Sequence, residues 1–381
     1  MTNAVIIDGV RTPIARARKG SLVDVDAFAL GELIVRAVMD RTGIPADQVD
    51  DIVLAESLQG GGVIARHAAV SNGLTDIPGL AANRHCAAGL SAVQIAAGSI
   101  IAGMDRVVIA GGVESLTSMP MMKKAGQPFM PASHPETPQA PAFDMSITVG
   151  ENTARLAGVT REQADEWAMH SHLRAAAARD DGRFAEEIVA VPLPNGGLFE
   201  RDEQPRADTT MDRLAALPLL HPEIDGAIVT AGNSAGLNDA AAATLITSDD
   251  FAAAHGLRAQ ARIVSWASVG VDPERTGLAP TLAIPKALER AGLGIADIDL
   301  FEINEAFCSM AVASSRILGI DHSIVNVNGS GCGLGHPIAA TGTRMLITTI
   351  NEIRRRRGRL GCVSMCAGGG MGSALIFELL D

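Results

Sequence analysis

Short apolar runs recur along the chain, separated by stretches whose apolar positions repeat every three to four residues. The runs predict buried strands at Val5–Ile7, Ile52–Leu54, Val107–Ile109, Leu300–Ile303, Ile324–Val327 and Leu360–Met365. The longer periodic stretches predict helices at Phe28–Met39, Ala87–Ile101, Arg161–Ala178, Leu282–Ala291 and Ala339–Arg354. Near-continuous apolar strands between helices imply a mainly buried sheet, and so an α/β chain.

The pattern also repeats. Residues 42–57 (TGIPADQVDDIVLAES) resemble residues 291–306 (AGLGIADIDLFEINEA). Each runs from a helix end through a glycine and an acidic turn into a strand that ends at a polar pair. A shift of 249 positions sets Glu56 on Glu305 and Cys86 on Gly335, beside His336. Further on, residues 108–114 (VIAGGVE) resemble residues 364–370 (SMCAGGG) at a slightly different offset. Unrelated α/β units share such wording too, but three segments recurring in one order favour duplication. Two similar halves would bring matching strand ends to one pseudo-twofold site.

Residues 119–144 break the pattern with many prolines and little periodicity. Residues 145–235 are polar and helical, then loop-rich, and read as a lid or loop domain inserted in the first half. The expected organisation is a first half at 1–118, completed by about 236–263, an inserted domain at 119–235, and a second half at 264–381.

Composition narrows the class. With 381 residues, 47% of them hydrophobic, the chain can bury a large core and form more than one domain. A net charge of −12 argues against nucleic acid as a partner. It leaves room for a local basic groove holding a phosphate-bearing ligand. Arg354 to Arg357 read as a solvated helix end. Five cysteines with no C-x-x-C pair imply neither a disulfide framework nor a metal site. Reduced thiols are the simplest reading and point to the cytoplasm. The first residues lack a secretory signal, and no apolar run reaches the ~18 residues of a membrane span.

Candidate chemistry gathers at element ends. Cys86 lies in NRHCAAG (83–89), at or near the first turn of a predicted helix. A helix start lowers a thiol pKa through its dipole and free N–H groups. Gly89 lets a backbone or ligand approach closely. His336 follows a glycine-rich stretch and precedes Pro337, which can open a helix. Asn304 and Glu305 end a predicted strand. They read either as a cap with a solvated carboxylate or as an amide that positions water or an acceptor oxygen. Cys366 precedes Gly368, Gly369 and Gly370, whose N–H groups could form an anion nest. Each of these cysteines also reads as a buried packing residue, and local setting alone does not choose. Cys308, Cys332 and Cys362 are assigned to packing, with Cys332 the nearest to His336.

In order and spacing, CAAG (86–89), NEAF (304–307), GHP (335–337) and CAGGG (366–370) resemble the thiolase family. The likeness runs nearly end to end. It includes RTP (11–13), AGGVES (110–115), ENTA (151–154), DEQPR (202–206) and TAGNSAGLND (230–239). The resemblance implies a five-layered α-β-α-β-α core of two duplicated βαβαβαββ halves, with an inserted loop domain that binds coenzyme A. It implies a reversible Claisen condensation and thiolysis of 3-oxoacyl-CoA with acetyl-CoA and CoA. Cys86 would carry the acyl group, His336 would take its proton, and Cys366 would be the acid/base at the α-carbon. His336 with a water held by Asn304 would form one oxyanion site, and the N–H groups of Cys86 and Gly368 the other. Arg206 would contact the adenine or phosphate end of CoA. Acyl-CoA and CoA would be substrates, with no tightly bound cofactor and no metal.

Three departures bear on the pocket. Ala88 stands where family members commonly carry serine. The usual NASG is reordered to NSAG, so Ala235 replaces a pantetheine-facing serine and Ser234 sits one place early. The segment at Asp144, Met145 and Ser146 differs from the HMG of biosynthetic members. The 119–144 stretch is short for a tetramerisation loop, which favours a homodimer over a homotetramer. Rival readings are a decarboxylating condensing enzyme like the ketoacyl synthases and a catalytically silent CoA-binding relative. A nicotinamide dehydrogenase is disfavoured, because Gly60 to Gly62 supply no G-x-G-x-x-G.

Overall fold

The computed structural model describes every residue except Met1, Gly60, Met121, Met122, Phe129 and Asp381. Gly60 of the early glycine run and three residues of the 119–144 stretch thus lie outside the described residues.

In the first half, β1 (Ala4–Arg11) leads to α1 (Ala27–Thr42), β2 (Asp51–Ala55), α2 (Ile64–Ser71), β3 (Gly79–Ala82), α3 (Ala88–Ile101) and β4 (Val107–Ser115). The inserted region carries α4 (Arg161–Asp180). The chain then returns through β5 (Asn238–Ser248). The second half runs β6 (Ala261–Gly270), α5 (Pro280–Ala291), β7 (Leu300–Ile303), α6 (Cys308–Leu318), α7 (Ile338–Arg356), β8 (Leu360–Ala367) and β9 (Met371–Leu379).

Strand order shows the duplication. The first half reads β3-β2-β4-β5-β1, and the second reads β7-β8-β9-β6. In each, the early strands pair in parallel and the last strand returns antiparallel. The missing outer strand of the second half is represented by one bridge, Phe301 to Val325. The expected strand at 324–327 is therefore not formed. Asn326 is the reason. It takes a left-handed φ of 48°. Its side-chain amide accepts from Ile303 N (2.8 Å) and donates to Ile303 O (2.7 Å), as a neighbouring peptide would.

The core is layered. Helices α1 and α2 pack Ile34, Val38 and Ala68 on the outer face of the first half. Helices α3 and α7 lie between the halves, with Leu90, Val93, Leu346 and Ile350 in one cluster with strand residues of both. Helices α5 and α6 cover the outer face of the second half through Ile284, Leu288 and Met310. The result is α-β-α-β-α.

Small residues set the spacing. Residues 240–243 are four alanines, which favour helix, yet they form the centre of β5. Packing overrides propensity: β5 lies between β1 and β4 and is buried throughout. A side chain on Gly112 would start 2.0 Å from Ala339 O, and one on Gly89 2.4 Å from the same oxygen. The start of α7 thus seats on bare backbone at both places. Gly112→Ala is expected to destabilise the fold by about 3 kcal/mol, because a rigid backbone must move. Urea unfolding of the variant checks this; an unchanged midpoint would mean that α7 shifts freely.

The inserted region is tied to the core by a buried ion triad. Arg11 Nε donates to Glu187 Oε1 (2.7 Å), and its Nη atoms donate to Asp202 (2.7 and 3.0 Å). Burial opposes the charge on Arg11, but Asp202 and Glu187 outweigh it and hold the guanidinium charged.

Candidate active site

Helix α3 begins at Ala88, so Cys86 sits in the turn just before it. Ala87 N–H bonds Arg84 O (3.1 Å) and Ala88 N–H bonds His85 O (2.9 Å). Arg84 is locked in turn by Ser91 (2.8 Å) and Ser268 (2.7 Å). The Cys86 side chain keeps some exposure, yet protein surrounds its sulfur closely enough for burial to dominate. Burial pushes this thiol up to about 11. The N–H groups of Gly368 and of Cys86 itself bond the sulfur and favour the thiolate, while nearby Glu114 opposes it. The expectation of a thiol acidified by its helix start is thus corrected. Desolvation between two sheets outweighs the dipole.

A thiol of that kind needs a base, and His336 has the right protonation. Its N–H donates to Asn238 Oδ1 (2.9 Å), which fixes the backbone. Thr341 gives its hydroxyl proton to Pro337 O (2.8 Å), so it accepts from Nδ1–H of His336 (2.7 Å). That arrangement leaves Nε2 with its lone pair. Burial, with the Arg344 charge, pushes the imidazole down to about 3, so it is neutral at pH 7. Asn304 Nδ2 lies 3.4 Å from Nε2. Asn304 Oδ1 is buried and has no hydrogen-bond partner among the described residues.

Cys366 is the last residue but one of β8, fully buried, with its Sγ 3.4 Å from Met310 Sδ. Burial, then the nearby Cys86, push its thiol well above the usual range. The Gly368 N–H that bonds the Cys86 sulfur lies two residues beyond Cys366 in the chain, so the two cysteines are near neighbours. The glycine triplet is not an open nest, because Gly370 N–H is taken by Thr276 Oγ1 (3.1 Å). Gly368 N–H faces the Cys86 sulfur instead.

The CoA-loop expectations fare unevenly. Ser234 bridges Phe307 and Ala235 N–H bonds Ala306 O (2.9 Å), while Leu237 bridges His336. Both residues therefore border the site. The Ser234 hydroxyl is turned back onto Thr230 O (2.6 Å). Arg206 is exposed, and no contact joins its side chain to these groups. Its neighbour Asp202 serves the Arg11 triad. Ala88 is fully buried in the central layer.

The sequence reading missed two carboxylates. Glu114 ends the repeated VIAGGVE segment, yet only its repeat was noticed. It accepts from Gln59 Nε2 (2.9 Å) and from Ala339 N (3.0 Å), and burial pushes it up to about 7. Glu305 is no solvated cap. It is fully buried and accepts from Trp167 Nε1 (2.8 Å), Ser171 Oγ (2.5 Å), Asn326 Nδ2 (2.7 Å) and Cys332 N (3.1 Å). Cys308, Cys332 and Cys362 are all fully buried. Among the described residues no group of side chains has the makings of a metal site, and no helix is long and apolar enough to cross a membrane.

Comparison with known proteins adds the family. Residues 4–250 match the model for the thiolase N-terminal domain, and residues 257–379 match that for the thiolase C-terminal domain. The chain belongs to the thiolase family. It is 39% identical to a 3-ketoacyl-CoA thiolase of Bacillus subtilis, over the whole of both chains. It is 39% identical to an acetyl-CoA acetyltransferase of Escherichia coli, again over the whole of both. The crystal structure of the Bacillus anthracis acetyl-CoA acetyltransferase superposes with a TM-score of 0.93 at 37% identity, covering 100% of this chain and 99% of that one. This thiolase is thus an acyltransferase. The condensing-enzyme and silent-relative readings lose their support.

Proposed function

We propose that this thiolase cleaves and forms 3-oxoacyl-CoA by a ping-pong route through an acyl thioester on Cys86. What supports this reading best is the neutral His336, whose ring is fixed by Thr341 and whose Nε2 stands beside Asn304, its partner in the expected oxyanion site. In thiolysis, Nε2 takes the Cys86 proton as the sulfur attacks the 3-oxo carbon. The oxyanion falls to donors of the site, His336 and a water on Asn304 among them. Collapse breaks the carbon–carbon bond and releases the enolate of acetyl-CoA. Cys366, a thiol at neutral pH, gives the enolate its proton. The resulting thiolate takes a proton from incoming CoA, whose sulfur then removes the acyl group from Cys86, and the departing Cys86 thiolate takes back the proton held by His336. At this second carbonyl, Gly368 N–H and Cys86 N–H supply the oxyanion donors. Every step reverses for condensation.

Acyl-CoA and CoA are then substrates, and no tightly bound cofactor is needed. Ser234 and Ala235 would border the pantetheine arm, and Arg206 would meet the nucleotide end. A homodimer in the cytoplasm fits the short 119–144 stretch and the reduced thiols.

The test is a thiolysis assay over a 3-oxoacyl-CoA panel, with peptide mass spectrometry after acyl-CoA incubation. The acyl adduct is expected on Cys86. Cys366→Ser is expected to keep that adduct while slowing turnover about 100-fold. An adduct only on Cys366 would reverse the two roles, and no turnover of any substrate would sink the reading.

A further inference from the structure

The residue before the nucleophile is in an unusual state. His85 adopts a left-handed φ of 46°, which few residues other than glycine tolerate. The conformation is built rather than accidental. Asn83 Oδ1 accepts from His85 N (2.8 Å), and Asn83 Nδ2 donates to Ser57 O (3.1 Å). On the other side, Arg84 is clamped to Ser91 and Ser268. Backbone strain at such a place is held by its surroundings and clusters at functional sites.

The conformation brings the ring to the reaction centre. A carbon placed on Gly368 Cα would lie 3.7 Å from His85 Cγ and 3.6 Å from Met145 Sδ. Gly368 is the residue whose N–H bonds the Cys86 sulfur. A group that passes over Gly368 from a thioester on Cys86 therefore meets the imidazole and the Met145 sulfur. Burial, then the proximity of His134, push His85 below its usual range, so its ring is neutral at pH 7. A neutral imidazole carries one N–H donor and one acceptor nitrogen.

No described residue uses them. Among the described residues no group bonds a ring nitrogen of His85. The neighbouring His134 is spoken for: its Nδ1 meets Ser133 Oγ (2.8 Å) and its Nε2 meets Ala140 O (3.0 Å). Because a carbonyl only accepts, Nε2 of His134 carries the proton and Nδ1 accepts the serine hydroxyl. Arg84, the adjacent cation, is consumed by its serines. His85 is thus a polar group beside this route whose ring nitrogens no described residue bonds. A purely aliphatic chain would strip water from the imidazole and return no hydrogen bond.

We propose that His85 is a specificity-determining residue, and that it selects 3-oxoacyl-CoA whose acyl chain carries an oxygen, as a hydroxyl or carboxylate, to pair with the imidazole. The inference rests on Cys86 being the acyl carrier. A site that hydrogen-bonds its substrate rejects the analogue lacking the polar group, because its own polar atoms are then left unpaired. The discrimination expected is roughly 10- to 100-fold in kcat/KM.

The experiment compares thiolysis of 3-oxohexanoyl-CoA with its 6-hydroxy and 6-carboxy analogues, using wild type, His85→Leu and His85→Gln. Wild type is expected to favour at least one oxygenated analogue by roughly tenfold or more. His85→Leu should reverse the order, and His85→Gln, which still offers an N–H donor, should keep it. The hydroxy and carboxy arms separate a neutral partner from an anionic one. The thermal midpoint and the Cys86 adduct of each variant are measured alongside, so a folding defect is not read as a specificity change. A wild type that prefers the aliphatic chain, or a ratio that His85→Leu moves less than twofold, overturns the inference. Absence of any Cys86 adduct in wild type overturns the acyl-carrier reading instead, and the two failures look different.

Discussion

Replacing His336 by alanine is expected to slow acyl-enzyme formation by roughly 10³- to 10⁴-fold at pH 7. The reason lies in the Cys86 thiol. With burial holding it near 11, only about one molecule in 10⁴ carries a thiolate at pH 7. In the proposed mechanism wild type avoids this penalty, because His336 Nε2 accepts the proton during attack. Without the imidazole, reaction must wait for the rare thiolate. The residual rate should therefore climb about tenfold per pH unit toward 11. Wild type should stay nearly flat above pH 7, because an imidazole held near 3 is already neutral there. Stopped-flow measurement of CoA release from an acyl-CoA, between pH 6.5 and 9.5, reads both predictions. A variant rate independent of pH, or within tenfold of wild type, would show that His336 is not the base.

Glu305→Ala is expected to cost about 4 kcal/mol of stability, the largest effect on the fold foreseen outside the nucleophile. One carboxylate gathers donors from three places: Trp167 and Ser171 on α4, Asn326 after β7, and the backbone of Cys332. Alanine would leave Trp167, Ser171 and the Cys332 N–H without this acceptor, and Asn326 with only its bond to Ile303 O. Glu305→Gln keeps the shape and one acceptor oxygen but turns an NH₂ toward donors, so about half the loss should remain. Urea unfolding at neutral pH provides the comparison. Asn304 is the preceding residue, so activity should fall along with stability. Equal midpoints for wild type and both variants would show that the donors find other partners.

Much of this was legible in the chain. The alternation of apolar runs and periodic stretches located most elements, since burial on both faces of a sheet demands continuous apolar strands. The repeat of residues 42–57 in 291–306 pointed to two halves, and their strand orders agree. The ordered motifs identified the family, and the structure places Cys86, Cys366, Asn304, His336 and Gly368 at the same element ends. What failed did so for local reasons. Asn326 satisfied a strand edge with its side chain, and no apolar pattern signals that. The alanines of β5 carry a helical preference that packing overrode. Glu305 read as a solvated carboxylate because carboxylates are seldom buried, and nothing in the pattern singled out Glu114 beyond its repeat.

Sequence by itself determined the family, the repeat and the candidate reactive side chains, because these reside in residue types and their order. Only the tertiary structure decided their protonation. Cys86 sits at a helix start, which favours a thiolate, but its place between two sheets makes it a thiol. His336 becomes a neutral base because Thr341 orients its ring and burial removes its charge. His85 keeps its ring nitrogens unbonded among the described residues, with its backbone held by Asn83 in a left-handed turn. Desolvation and orientation depend on what surrounds a side chain in space, and residue order does not encode that directly.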